Sequence, residues 1–154
     1  MKHNPGFLKL VDAARVRIKE CTVAQAKARL DRGEVMHFLD VREDHEFAKE
    51  HAKGARHVGK GIMERDVETL IPNKEEAILL YCGGGYRSVL AADALQQLGY
   101  TNVVSMDGSK PGGMRAFRWN IDGTSERPRS SSRWITRSIV RVGRTICCWF
   151  DRIL

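Results

Sequence analysis

Short runs dominated by apolar residues constrain the fold of this chain more than any other feature. They are EVMHFLDV at Glu34–Val41, EAILLYC at Glu76–Cys82 and TNVVSM at Thr101–Met106. Apolar strands that alternate with helical segments are typical of a parallel sheet covered by helices on both faces. The sequence therefore predicts an α/β fold, whose ligands are expected beyond the carboxyl ends of the strands.

The segments between these runs have helical spacing or helix-capping residues. Thr22 is typical of a helix N-cap and Gly33 of a helix stop, which together predict a helix over Val23–Arg32. The other predicted helices are Glu43–Glu50, Gly61–Ile71 and Ser88–Leu98, and a short extended piece, ARHV, precedes the second of these.

The positive charge of the chain is concentrated near its end. The formal net charge is +7, and residues 125–154 contribute +5, from seven arginines against Glu126 and Asp151, which leaves +2 for the other 124 residues. The body therefore lacks the basic footprint of a nucleic-acid-binding protein, and we expect no specific nucleic-acid partner. A length of 154 residues with 42% hydrophobic residues fits one globular domain.

The cysteines and the first residues of the chain indicate the cellular compartment. The chain has four cysteines, Cys21, Cys82, Cys147 and Cys148, and none shows metal-binding CxxC spacing. The adjacent pair, Cys147 and Cys148, is poorly suited to begin a disulfide framework. The opening MKHNPGFLKLV lacks the features of a signal peptide, and no run approaches the roughly 18 apolar residues of a spanning helix. These observations predict a cytoplasmic protein in a reducing environment.

The segment YCGGGYRS, at 81–88, carries the chemistry that the sequence suggests. The backbone N–H groups of a glycine-rich turn, together with the positive end of the following helix, form a concave anion site. Side chains at Gly83, Gly84 and Gly85 would obstruct that cradle. The same field favours the thiolate form of Cys82, which we expect at the rim, and Arg87 supplies a guanidinium beside a bound oxyanion.

Two chemistries use a loop of this kind. Cysteine phosphatases space their residues C-x5-R so that the loop surrounds a whole phosphate, whereas Cys82 and Arg87 are separated by four residues, C-x4-R. A shorter loop fits a smaller electrophile, such as a sulfane sulfur. A phosphatase or arsenate-reductase-like enzyme remains the alternative, although no aspartate suited to a second role follows the loop, and a non-catalytic sulfur carrier or binding module is another.

Residues 22–119 resemble the rhodanese (thiosulfate sulfurtransferase) family in its single-domain form. LDVREDHEFAKEHAKGARHV, at Leu39–Val58, is similar to the family's first signature, D-V-R-x-x-x-E-[FY]-x-x-G-H-I-x-G-A, and YCGGGYRS is similar to its active-site loop. VVSMDGSKPGGMRAFRW, at Val103–Trp119, is similar to a third element, with SKP as an apparent insertion. The signature also departs from the family at Ala52, which stands in place of isoleucine.

This resemblance implies a rhodanese-like fold with about five strands in a mainly parallel sheet and helices on both faces. It implies that Cys82 is a nucleophile that forms a persulfide, taking sulfur from a small anionic donor such as thiosulfate and passing it to cyanide or a thiol. The implied substrate-binding residues are Gly83, Gly84, Gly85, Tyr86, Arg87 and Ser88. Asp40 and Arg42 match D-V-R and are expected, with Glu46, to form a structural ion-pair network. No metal or organic cofactor is called for.

The chain divides into four predicted parts. An N-terminal helical extension covers 1–20 and the rhodanese domain covers 21–122, followed by a polar linker at 123–133 and a basic C-terminal helix or tail at 134–154. The last part places apolar residues on one helical face and arginines on the other, which is typical of a helix that contacts an anionic membrane surface or a protein partner. A helix docked on the protein's own sheet, a tail without a selected role and a shifted reading frame are the alternatives.

Overall fold

The computed structural model describes residues 3–108 and the backbone of Trp119 and Asn120. Its helices are α1 (Pro5–Arg15), α2 (Val23–Asp31), α3 (Asp44–Lys49), α4 (Lys60–Leu70) and α5 (Tyr86–Gln97). Its strands are β1 (Lys19–Thr22), β2 (His37–Asp40), β3 (His51–Ala52), β4 (Arg56–His57), β5 (Ile78–Tyr81), β6 (Val103–Asp107) and β7 (Trp119–Asn120).

Five of the strands form one parallel sheet in the order β1-β6-β5-β2-β4. Strand β5 is central, since β2 pairs with it on one side and β6 on the other. The fold class predicted from the sequence, an α/β fold with a five-stranded parallel sheet and helices on both faces, is therefore confirmed.

Strand β5 is buried along its whole length, and its side chains alternate between two apolar layers. Ile78 and Leu80 lie in a cluster with residues of α4 and α5, whereas Leu79 and Tyr81 lie in a second cluster with residues of α2. Cys82 follows directly and belongs to the first cluster. Because strand side chains alternate with a period of two, the sulfur points into the layer beneath α5.

Strand β2 begins at His37 rather than at Glu34, where the sequence placed it. The reason is that Glu34 completes the end of α2: its N–H donates to the Arg29 carbonyl, and its carboxylate pairs with the Arg29 and Arg32 guanidinium groups. The next residue, Val35, is 95% exposed. The chain therefore joins the ladder only after leaving this turn.

Helix α5 begins at Tyr86, two residues before the predicted start at Ser88. Gly85 is its N-cap residue and has a φ of +82°, in the left-handed region that favours glycine. Tyr86 and Arg87 therefore belong to the first turn of the helix rather than to the loop.

The N-terminal part of the chain is tied to α5. Helix α1 packs against α5 through a cluster that includes Val11, Ala14 and Val89. Beyond α1, Arg17 donates two hydrogen bonds to the Asp93 carboxylate, at 2.7 and 2.8 Å. Residues 1–20, the predicted extension, thus contain α1, and the first strand of the sheet begins at residue 19.

Strand β3 pairs antiparallel with β7, so that His51 lies opposite Asn120. The SKP segment, the linker at 123–133 and the basic segment at 134–154 lie outside the described residues. Within the part of the chain that the structure describes, no helix is both long enough and apolar enough to cross a membrane.

Candidate functional site

Cys82 lies at the carboxyl end of the central strand, where the chain turns into α5. Only 1% of the residue is exposed, so the expectation that it sits at the rim of the loop is wrong. The alternation along β5 directs the sulfur inward, and the loop that follows closes over it. Cys82 is therefore the floor of the loop rather than its edge.

Three polar groups lie around the sulfur and behind it. The Gly85 N–H donates to Cys82 Sγ at 3.2 Å, and the Ser88 hydroxyl lies 3.6 Å from the same sulfur. Ser88 Oγ also donates to the Gly85 carbonyl at 3.1 Å, and the Ser105 hydroxyl lies 3.0 Å from Ser88 Oγ. Sequence reasoning placed Ser88 in the loop but missed Ser105, which comes from the neighbouring strand β6.

The three loop glycines differ in how strongly the structure requires glycine. At Gly85 the positive φ is joined by crowding, because an added Cβ would lie 3.3 Å from the Asp107 carboxylate. At Gly84 an added Cβ would lie 3.3 Å from the Tyr86 ring. At Gly83 the nearest atom, on Arg87, is 3.9 Å away, which is an ordinary contact.

Arg87 is held by two carboxylates of the segment that begins α3. Its guanidinium donates to both carboxylate oxygens of Glu46, at 2.5 and 3.0 Å, and lies 3.6 Å from the Glu43 carboxylate. The hydrogen bond to Arg87 lowers the pKa of Glu46 to about 2, and the same bond raises the pKa of Arg87. Sequence reasoning grouped Glu46 with Asp40 and Arg42, whereas the side chain that donates to its carboxylate is that of Arg87, in the first turn of α5.

Tyr86 faces the N-terminal segment. Its ring centroid lies 4.5 Å from that of His3 and 6.0 Å from that of Phe7, and the Arg15 guanidinium lies 5.7 Å from the ring centroid. The ring of Tyr86, which the resemblance implies is substrate-binding, therefore packs on residues of the N-terminal segment.

Asp40 and Arg42 form a buried pair at the end of β2. The Arg42 guanidinium donates to the Asp40 carboxylate, at 2.7 Å for the shortest bond, and to the Glu50 carbonyl at 2.7 Å. The Tyr81 hydroxyl donates to Asp40 at 2.5 Å and accepts from the Ala52 N–H at 3.0 Å. Burial, and then the Asp40 carboxylate, raises the pKa of Tyr81, so its hydroxyl stays a donor. This network fixes the chain from α3 to β3, next to the loop.

Other chemically capable side chains lie away from Cys82. Cys21 lies half-buried in the edge strand β1, and burial raises the pKa of its thiol. His51 and His57 both stack with the Phe47 ring, with centroid distances of 3.9 and 4.8 Å. Across residues 3–108, no three His, Cys, Asp or Glu side chains are grouped so as to hold a metal ion.

Comparison with known families identifies one match. A family model described as the rhodanese-like domain matches residues 22–115, which are 94 of the 154 residues of the chain. The match therefore includes the loop at 82–88, the Asp40–Arg42 pair and Ser105.

Individual relatives with sulfurtransferase names also match part of this chain. The thiosulfate sulfurtransferase PspE of Escherichia coli is 31% identical over 74 residues, which are 48% of this chain and 71% of that protein. The thiosulfate sulfurtransferase GlpE of Haemophilus influenzae is 33% identical over 98 residues, 64% of this chain and 90% of that protein. Among solved structures, a thiosulfate sulfurtransferase from Pseudomonas aeruginosa superposes with a TM-score of 0.58 at 28% identity, over 66% of this chain but only 20% of that one.

Proposed function

The chain belongs to the rhodanese-like domain family, and from that premise we propose that it is a sulfurtransferase working through a persulfide on Cys82. The donor we propose is a small anionic carrier of sulfane sulfur, such as thiosulfate. The acceptor is cyanide or a thiol. The catalytic residue is Cys82, and the substrate-binding groups are the N–H groups of the loop and of the first turn of α5, from Gly83 to Ser88.

The observation that carries this proposal is the surroundings of the Cys82 sulfur. Gly85 directs its N–H at the sulfur from 3.2 Å, and the Ser88 hydroxyl lies 3.6 Å away. Both groups sit where α5 begins, and its N-terminus adds a positive field. Donors of this kind stabilise a negatively charged sulfur, which is the form that attacks.

The reaction then has two steps with balanced charge. The Cys82 thiolate attacks the outer sulfur of thiosulfate; a new S–S bond forms to Cys82 while the S–S bond to the central sulfur breaks, and sulfite leaves with the electron pair. The terminal sulfur of the persulfide carries the single negative charge. Cyanide next attacks that sulfur, the Cys82–sulfur bond breaks, thiocyanate leaves and the thiolate is restored. No net oxidation or proton transfer is needed.

The position of Arg87 favours sulfur transfer over phosphate chemistry. A phosphatase arginine must offer two N–H groups to the phosphate, whereas Arg87 gives both of its short hydrogen bonds to Glu46. We propose that Arg87 fixes the end of the loop against α3 and adds positive charge beside it. The Asp40–Arg42 pair holds the other end of α3, because Arg42 donates to the Glu50 carbonyl there.

The test is the mass of the intact protein after exposure to thiosulfate, and again after addition of cyanide, for the native chain and for Cys82→Ser. We expect one added sulfur atom in the native chain, its release as thiocyanate, and no adduct on the variant. Cys21→Ser is the matched control, since Cys21 lies two strands from Cys82, and it should load like the native chain.

Two results would reject the proposal. Hydrolysis of an aryl phosphate without sulfur loading would indicate the phosphatase alternative. Loading on Cys82 that no acceptor discharges would indicate a carrier rather than a transferase.

A further inference from the structure

Two fully buried hydroxyl groups form a short chain behind Cys82. Ser88 and Ser105 are both 0% exposed, and their oxygens lie 3.0 Å apart. Ser88 is in the first turn of α5, whereas Ser105 lies in the middle of β6 and is paired in register with Leu80, two residues before Cys82. Residues that pair across parallel strands point to the same face, so Ser105 is directed into the layer that contains the sulfur.

The direction of these hydrogen bonds follows from counting protons. A serine hydroxyl has one proton to donate and can also accept. Within residues 3–108, the hydroxyl of Ser105 has no hydrogen-bond partner other than Ser88 Oγ. A buried donor without an acceptor is costly, so Ser105 donates its proton to Ser88.

Ser88 then keeps its own proton for one of two acceptors. These are the Gly85 carbonyl at 3.1 Å and the Cys82 sulfur at 3.6 Å. The carbonyl is the better acceptor while the sulfur is a neutral thiol. A thiolate is a charged acceptor and the stronger one, so rotation about the Ser88 Cβ–Oγ bond brings the proton to the sulfur once it ionises.

We propose that Ser105 is a positioning residue for Cys82. Its donation occupies one lone pair of Ser88, which orients the Ser88 hydroxyl and makes it a better donor to the anionic sulfur, because successive hydrogen bonds polarise one another. The inference deepens the proposed function, since it concerns the same sulfur. It makes no use of a sulfur donor.

Charged groups near the loop also act on the sulfur and stay the same in every variant used below. On α5, the positive charge of Arg87 interacts with Cys82, and the Arg87 guanidinium is also paired with Glu46 of α3. Charged side chains also lie at the carboxyl ends of the neighbouring strands and at the start of α3, and they include Asp40, Arg42, Glu43, Asp44, Glu46 and Asp107. The titratable His57, at the end of β4, lies 3.6 Å from the Asp44 carboxylate.

The test is the pH dependence of the alkylation rate of Cys82 by iodoacetamide, followed on the Cys82 peptide by mass spectrometry in the full-length protein. The informative pair is Ser105→Thr and Ser105→Val, which have nearly the same shape and differ in the hydroxyl. We expect threonine to keep the native pH midpoint and valine to move it upward by a few tenths of a unit. Ser88→Ala, which removes the direct donor, should move it upward by about one unit.

Two further variants separate positioning from packing. In a Ser88→Ala background, Ser105→Val should add nothing, because the effect passes through Ser88. Val103→Ala truncates a buried side chain on the same strand and should leave the midpoint unchanged even where it lowers stability. Circular dichroism confirms that each variant is folded.

The proposal is overturned if folded Ser105→Val keeps the native midpoint, or if its shift persists in the Ser88→Ala background. Either result leaves the sulfurtransferase proposal untouched, because alkylation requires no sulfur donor. Conversely, a chain that takes no sulfur from thiosulfate but shows the expected midpoints would reject the function and keep this inference.

Discussion

Replacing Glu46 by glutamine removes the charge that faces Arg87 while keeping a hydrogen-bond acceptor in its place. The structure gives this pair two hydrogen bonds and a partly shielded position, with the Glu46 side chain 28% exposed and that of Arg87 31% exposed. The substitution therefore isolates the electrostatic part of the contact between α3 and the start of α5.

The magnitude follows from the pKa of Glu46, which is lowered from 4.5 to about 2, first by the hydrogen bond to Arg87 and to a smaller extent by the Glu43 N–H and the Arg42 charge. That lowering corresponds to roughly 3 kcal/mol at about 1.4 kcal/mol per pKa unit. The parts due to Glu43 and Arg42, and solvent screening of partly exposed groups, reduce the value expected for the Arg87 contact to about 1–2 kcal/mol. Because the folded pKa is the lower one, this stabilisation is present in full above about pH 4.5. It is lost as the pH falls towards 2.

The assay is urea unfolding followed by circular dichroism between pH 2.5 and 7, on the native chain and on Glu46→Gln. We expect a loss of about 1–2 kcal/mol at pH 7, and a difference between the two proteins that shrinks below pH 4.5. Glu75→Gln, at an exposed turn position, is the control and should cost little at any pH. A difference that is constant across this range, or that Glu75→Gln reproduces, would refute the reasoning.

Two other predictions concern the backbone of the loop and the pair beneath it. Gly85→Ala forces a side chain into a left-handed conformation against Asp107 and should lower the free energy of unfolding by about 1–3 kcal/mol. Gly83→Ala, which has room for a methyl group, should cost clearly less in the same urea titration, and equal losses would contradict the prediction. Arg42→Met leaves the Asp40 carboxylate buried without its cation and should cost about 3–5 kcal/mol. A loss below about 1 kcal/mol would show that the pair contributes little to stability.

Much of the architecture was predictable because its signals are local in sequence. A fully buried strand must be apolar along its length, as β5 is, and Thr22 caps α2 through a reciprocal bond with Gln25 three residues away. The candidate loop was found for the same reason, since the residues from Cys82 to Ser88 are contiguous.

The features that the sequence did not reveal depend on contacts between distant segments. Glu46 and Arg87 are 41 residues apart, and Ser88 and Ser105 are 17 apart on different elements. The burial of Cys82 depends on the loop folding over it, and the early start of α5 depends on the dihedral angles of Gly85. No local pattern encodes these pairings. The one available signal was Glu46 itself, because an acidic residue in the first signature indicates that a cationic partner lies nearby.

The alternation along β5 makes the location of the sulfur a matter of parity. Cys82 is an even number of residues from both Ile78 and Leu80, and for that reason it shares their layer with α5. One residue more or fewer within the strand would carry the thiol to the side of α2, across the full thickness of the sheet from the helix end that serves it. A change of two residues would return it to the first side. The position of Cys82 relative to β5 thus determines on which face of the sheet its thiol lies, and with it the chemical environment of the thiol.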